Sequence, residues 1–395
     1  MAATASFSVD ERRARLAVRH RLAPRARVDD DVAAIARSVV ALHATDPMTV
    51  VLGALLRMRT PDQRAVEAAL FEDRTVARVM AMRRTLWVVP VDDVPVLQSA
   101  AADGVAVAER KRLVKLLEDA GVAEDGEAWL AEVEPAAIAT FDELGEAAAS
   151  QLADAVPALA TRVTLAAGKG YETTVSLASR LLTVLGAEGH LVRGRPKGRW
   201  TGTQHHWSSA RRWFGELPPP PPAEEARARL AEAWLARFGP ATVADLKWWT
   251  GWTLGQTRAA LAGIATEEVA LDGEPGIVLA GDTDPTPPPE PWVALLPSLD
   301  PTVMGWQARD WYLGGHRAAL FDGYGNAGPT IWVDGRAVGA WAQRPDGEVV
   351  THLLEDVGTE RGEAIAAEAA RTRAMLGDIV IKPRFNSALS RDLTG

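Results

Sequence analysis

At 395 residues with 47% apolar side chains, the chain has length for about two to four domains, each with its own core. With no cysteine it can hold no disulfide, thiolate zinc site or iron–sulfur cluster, and its histidines lack chelating spacing, so neither a metal nor a cofactor is expected. A net charge of −9 argues against coating nucleic acid indiscriminately; with no long apolar run and no signal-peptide core, a cytoplasmic protein without a membrane segment is expected.

The positive charge is concentrated in two tracts. Glu11 to Arg27 holds seven arginines against one acid, and His190 to Trp213 holds six basic residues and no acid. Each is a candidate phosphate surface or a solvated face. Between them, Val32, Ile35, Val39 and His43 recur at helical spacing. Pro47 disfavours helical backbone at Asp46, so one helix is expected to end there and a second, Thr49 to Met58, to start from Asp46 as its N-cap. The junction His43-Ala44-Thr45-Asp46-Pro47 gathers an imidazole, a hydroxyl and a carboxylate. It is a candidate site or ordinary capping.

A third helix around Ala65 to Leu70 and strands Thr75 to Met80 and Thr85 to Val89, with Arg83 and Arg84 between them, complete helix, helix, helix, hairpin. That is the order of a winged helix, whose third helix or wing can meet DNA. The order returns after a helical connection from Val91 to Leu130. Thr140 to Glu143 spells a capping box, Thr174 can cap Val175 to Leu185, and strands His190 to Arg193 and Arg199 to Trp207 flank a glycine–proline turn. This second hairpin carries Arg193, Arg195, Lys197 and Arg199, followed by Arg211 and Arg212. It is the best candidate for gripping a nucleic-acid backbone. Five prolines, Pro218 to Pro222, then form a stiff spacer.

A third copy follows: a helix Ala226 to Phe238, N-caps at Thr242 and Thr253, and an acidic hairpin Glu267 to Leu279 that would repel phosphate. It reads as scaffold, with Trp248, Trp249 and Trp252 as packing residues. After a second proline-rich spacer, the Asp334-Gly335 and Asp346-Gly347 turns separate alternating runs from Thr330 to Leu353. Further strands are expected at Trp292 to Leu299, His316 to Phe321 and Ile379 to Phe385, with a helix at Thr359 to Leu376. The expected whole is α+β: three tandem winged helices over 1–130, 131–217 and 223–284, then a small antiparallel β-barrel over 290–395.

The sequence lacks a Walker loop, a dinucleotide fingerprint, a nucleophile elbow and a zinc-protease motif. Several phrases, in their order, carry a resemblance over nearly the whole chain: Leu42-His-Ala-Thr-Asp-Pro47, Trp248-Trp-Thr-Gly-Trp252, Leu296-Pro-Ser-Leu-Asp-Pro301 with Gly305-Trp306, Ile331-Trp-Val-Asp-Gly-Arg336 and Lys382-Pro-Arg-Phe385. Together they resemble the bacterial winged-helix DNA-binding family that includes AlkZ-type DNA glycosylases. The resemblance implies a clamp on double-stranded DNA and excision of alkylated or bulky-adduct purines, some members opening crosslinks and several serving self-resistance in antibiotic producers. Asp300 and Arg309 would border the cleft.

The family's Gln-apolar-Gln or Gln-apolar-Asp motif falls on His43-Ala44-Thr45, and neither end matches. In its place His43 would accept a proton from water, Thr45 would anchor that water, and Asp46 would face the sugar cation. The expected protein is a monomer acting on damaged or adducted DNA. The alternative is a non-catalytic DNA binder or regulator on the same clamp. The repair reading requires the imidazole of His43 to face a positively walled hollow.

Overall fold

The computed structural model describes residues 5–29, 31–165, 172–202 and 204–394, a mixed α and β chain. Among them, one pattern occurs in three places: a helix, a short bridging segment, two further helices and an antiparallel hairpin. In the first, helix Val32–Ser38 leads to strand Leu42–His43, helices Pro47–Leu55 and Gln63–Phe71, and strands Val76–Met80 and Leu86–Pro90. In the second, Gly126–Leu144, Ala149–Ala155 and Leu177–Ala187 precede Leu191–Pro196 and His205–Ser209, with Ala147 bridging to Trp207. In the third, Ala223–Phe238, Val243–Thr250 and Leu254–Ala262 precede Thr266–Leu271 and Glu274–Leu279, with Ala241 bridging to Ile277.

Local chemistry accounts for several boundaries. Thr242 and Thr253 each cap a helix reciprocally with Asp245 and Gln256, satisfying donors that a helix start leaves unpaired. Thr140 to Glu143 instead lies in the last turns of Gly126–Leu144, and Thr174 lies in strand Thr173–Ser176 ahead of the helix it was expected to cap.

The C-terminal part departs from the expected barrel. Its strands Val293–Leu296, Thr330–Val333, Arg336–Gln343 and Val349–Leu353 form one open antiparallel sheet in sequence order, with helix Thr359–Leu376 against it. The expected strand His316 to Phe321 contains helix Arg317–Leu320. Ile379 to Phe385 has no strand, because Pro383 lacks an N–H and the side chain of Gln343 satisfies this segment: its amide donates to the Ile379 carbonyl (3.1 Å) and accepts from the Ile381 N–H (2.8 Å).

Packing groups the parts unequally. The first and third units share one apolar core with the C-terminal sheet, built around Trp87, Trp234, Trp249, Trp332 and Trp341. The second unit has a core of its own, from Leu113 to Trp207. No helix among the described residues is long and apolar enough to cross a membrane.

Candidate functional site

The segment between Val39 and Pro47 is a short strand, where helical spacing predicted a helix. Val40 takes a positive φ of 63°, which ends the helix, and Leu42–His43 pairs with Val88 and Trp87. The Ala44 N–H then donates to the Leu86 carbonyl (2.7 Å), and the Leu86 N–H reaches Thr45 Oγ1 (3.4 Å).

His43 is 3% exposed, with its ring edge-on to Trp87 at 4.7 Å between centroids. Its Nδ1 is buried without a hydrogen-bond partner. Burial, and then the charge of Arg83, push its pKa down to about 3. The imidazole is therefore neutral at physiological pH and a poor proton acceptor, which corrects the expected base role. The ring does not look into an open hollow, so the expected exposure of the imidazole fails and the repair reading cannot rest on His43.

Asp46 caps helix Pro47–Leu55 through the Met48 N–H (3.2 Å) and receives the Arg384 N–H (2.8 Å) and the Ser298 hydroxyl (3.4 Å) on its other oxygen. Burial raises its pKa against those hydrogen bonds. A buried carboxylate so engaged has no oxygen left to face a sugar, so its expected counter-charge role is also corrected. Thr45, half-buried, is the member of the trio whose hydroxyl can still serve a ligand.

Cations flank this segment. Arg83 and Arg84 form the turn of the first hairpin in left-handed backbone, φ 54° and 61°, which costs non-glycine residues about 1–2 kcal/mol each. Side-chain contacts hold them there. Arg84 is bidentate on Glu109, whereas the Arg83 guanidinium lies 4.1 Å from the centroid of Trp248. Arg309 lies 4.5 Å from the same centroid, so half-buried Trp248 carries two cations. Burial and then Arg309 push the pKa of Arg83 down to about 10.

Beyond Asp46, Arg384 couples to Arg193, which stacks over Trp207 at 4.8 Å with its pKa pushed down to about 10, first by burial and then by Arg384. Arg78 follows, its Nη1 3.3 Å from His205 Nδ1. Burial and then Arg193 bring Arg78 to about 9, and burial and then Arg78 bring His205 to about 3. Among the described residues, none of Arg78, Arg83, Arg193, Arg309 and Arg384 has a carboxylate within ion-pair distance. Such a run of uncompensated charge is suited to an anionic ligand.

The other expected cations are distributed differently. Arg195 pairs with Glu67 (2.9 Å) and Glu72 (3.0 Å), docking the second hairpin on helix Gln63–Phe71, and Arg199 pairs with Asp378 (2.9 Å). Lys197, Arg211 and Arg212 are exposed. Asp300 borders no cleft: it is 0% exposed and bidentate with Arg57. Arg309 is buried too, but against Trp248 within the cation run. Arg78, Arg384 and Trp248 were missed as site residues. An arginine inside the apolar strand Val76–Met80 was the available signal for the first, and the Lys382-Pro-Arg-Phe385 phrase for the second. Among the described residues no group of three or more His, Asp or Glu side chains could hold a metal ion.

A family model described as DNA glycosylase AlkZ-like matches residues 36–375. The structure is similar to Streptomyces sahachiroi DNA glycosylase AlkZ, with a TM-score of 0.73 and 21% identity over 96% of this chain and 99% of that one. A search of curated proteins finds no match. The chain belongs to the AlkZ-like DNA glycosylase family, and is a DNA-repair glycosylase that hydrolyses N-glycosyl bonds.

Proposed function

We propose that this protein, acting as a monomer, releases alkylated or bulky-adduct purines from double-stranded DNA, with the damaged nucleotide brought to Thr45 and the backbone lying along Arg83, Arg384 and Arg193. The observation that carries this is the run of arginines without ion-pair partners among the described residues on both sides of the His43-Ala44-Thr45 segment. Three repeats of helix, bridge, helix, helix and hairpin support reading the units as winged helices, divided near 130, 217 and 284.

The chemistry asked of the site is modest. Alkylation at N7 or N3 makes the purine a cationic leaving group, so departure needs little acid catalysis. What is needed is a water on the opposite face of an oxocarbenium-like sugar. Thr45 can orient that water through its hydroxyl. Neutral His43, wedged against Trp87, fixes the strand that carries Thr45. With Asp46 committed to its cap, the negative charge nearest the sugar cation is the DNA's own phosphate.

Base release under single-turnover conditions from duplexes carrying N7-methylguanine, N3-methyladenine or a bulky N7 adduct tests this. Thr45→Val should slow release by about a hundredfold with little change in duplex affinity. Undiminished release by Thr45→Val moves the chemistry elsewhere. No release by the unaltered protein across the panel favours a DNA-binding role without catalysis.

A further inference from the structure

A cavity of about 410 Å3 opens at the turn of the first hairpin, where it meets the helical connection to the second unit and the start of the third. Helix Asp103–Asp119 forms one wall and is reached through a single π turn, Gln98–Ala102, an irregularity that recurs at functional sites. The charged residues of the lining are Arg83, Arg84, Arg112, Arg227 and the exposed acid Asp103, which accepts from the Gln98 amide (2.7 Å). Arg83 is turned to Trp248 and belongs to the cation run at Thr45, which leaves three arginines for this chamber. Arg84 and Arg112 share one carboxylate, that of Glu109. Arg227, half-buried, has no ion pair among the described residues, and its Nε is buried without a hydrogen-bond partner. Gln256 adds a donor. Its Oε1 is spent on the Thr253 N–H (2.9 Å) and hydroxyl (3.1 Å) in the helix cap, so its amide N–H2 group, without an acceptor among the described residues, is the end left for a ligand.

Surplus positive charge beside an apolar wall of Ala100, Val105 and Ala108 suits a small organic anion, and chambers of roughly 300–1,000 Å3 hold such ligands. The donors choose the anion. Arg112, Arg227 and Gln256 stand on three different helices, Asp103–Asp119, Ala223–Phe238 and Leu254–Ala262. Three separate donor groups call for three acceptor oxygens on one centre, which a phosphate monoester offers and a carboxylate or a backbone diester does not. A monoester also carries about −1.5 to −2 charges at pH 7. We propose that this cavity binds a phosphate monoester, with its three terminal oxygens on Arg112, Arg227 and Gln256. The group can belong to a free small molecule or to the 5′ end of a nicked DNA strand. The site lies outside the Thr45 machinery and stands whether or not Thr45 acts.

Calorimetric titration of the intact protein with phenyl phosphate and with dimethyl phosphate tests the site. Phenyl phosphate should bind at one equivalent and about tenfold more tightly than the diester, and its affinity should rise between about pH 5 and 7 as its second proton leaves. Gln256→Glu keeps the acceptor that caps Thr253 and replaces the donor by a negative charge, so it should leave the melting temperature unchanged and weaken phenyl phosphate by at least about tenfold. Arg227→Gln should weaken it about tenfold and leave base release and intact-duplex affinity unchanged. Full binding of phenyl phosphate by both variants, equal affinity for monoester and diester, or no saturable binding by the unaltered protein would overturn the proposal. So would a loss of intact-duplex affinity in Arg227→Gln, which would make the chamber a stop for the DNA backbone.

Nicked duplexes then separate the two sources. If the group is a strand end, a nick bearing a 5′-phosphate should be held about tenfold more tightly than one bearing a 5′-hydroxyl, and Gln256→Glu should remove the difference. If the two nicked duplexes bind alike while phenyl phosphate still binds, the occupant is a free phosphorylated molecule. A protein that binds phenyl phosphate as described but releases no base would retain this site and lose the function proposed for Thr45 alone.

Discussion

Arg57 and Arg193 show two fates for an arginine that leaves water. Arg57 sits at the seam between the first unit and the C-terminal sheet with every donor used: two on Asp300 (2.9 and 3.0 Å) and one each on Thr302 (2.9 Å), the Gly53 carbonyl (2.8 Å) and the His20 carbonyl (2.9 Å). Arg193, between the second hairpin and Arg384, has an aromatic face, a buried Nε without a partner and no carboxylate. The first charge is neutralised within the fold and ties two regions together. The second has no acid of the protein to neutralise it, which is the arrangement the proposed function uses for a DNA phosphate. Sequence alone gave both residues the same sign and placed phosphate binding only on the second.

Removing one charge from each cluster should break the symmetry most visibly. Asp300→Ala leaves Arg57 buried and unpaired, and should cost about 3–5 kcal/mol in urea unfolding. Arg193→Gln removes a charge that had no partner, so stability should change by less than about 1 kcal/mol. Its effect should appear on DNA instead, where the slope of log affinity against log salt should fall by about 0.9 for one lost phosphate contact. Equal destabilisation by the two variants would make Arg193 structural and erase the distinction.

The contrast also marks what the sequence could and could not disclose. Helix Thr359–Leu376 and the capping boxes at Thr242 and Thr253 were legible because caps and periodicity act within a few residues. The first hairpin was legible for the same reason, since its strands alternate around a short basic turn. Strand Leu42–His43 was not, because its pairing with Leu86–Pro90 is made across more than forty residues and its own length is too short to show a period. Asp300 was placed near a cleft although its partner is Arg57, 243 residues earlier. No local pattern tells a paired acid from a free one. Whether His43 and Asp46 can act was not legible either, since burial decides it and burial is a property of the packed chain.

Histidine burial gives the next largest effect and extends the comparison to pH. His43 and His205 have folded pKa values pushed down to about 3 from the ordinary 6.5, and His20 is also held well below it, each chiefly by burial. Between the folded and unfolded values the unfolded chain binds more protons. Stability is therefore full above about pH 6.5 and falls as pH drops toward 3, by up to about 1.4 kcal/mol per pH unit for each histidine. Urea melts at pH 7, 6 and 5 should show this steepening, and His43→Leu should remove about one proton from the slope. The pH profile of base release should show no ionisation from His43 between pH 5 and 8. An activity step there that disappears in His43→Leu would restore the imidazole as a proton acceptor.

The smallest effect concerns the second hairpin, where engaged and free cations stand two residues apart. Arg195 is shared by Glu67 and Glu72 in partly exposed pairs, each worth about 0.2–1 kcal/mol, while Lys197 is exposed without an ion pair among the described residues. Lys197→Ala should therefore flatten the salt dependence of duplex binding slightly and leave the hairpin's amide exchange unchanged. Arg195→Ala should do the reverse, speeding exchange across Leu191–Pro196 as the hairpin loosens from helix Gln63–Phe71 while the salt slope holds. If Arg195→Ala flattens the slope as much as Lys197→Ala does, the two glutamates must release Arg195 when DNA arrives. The hairpin would then be a latch that phosphate opens, and its ion pairs would belong with Arg193 instead of Arg57.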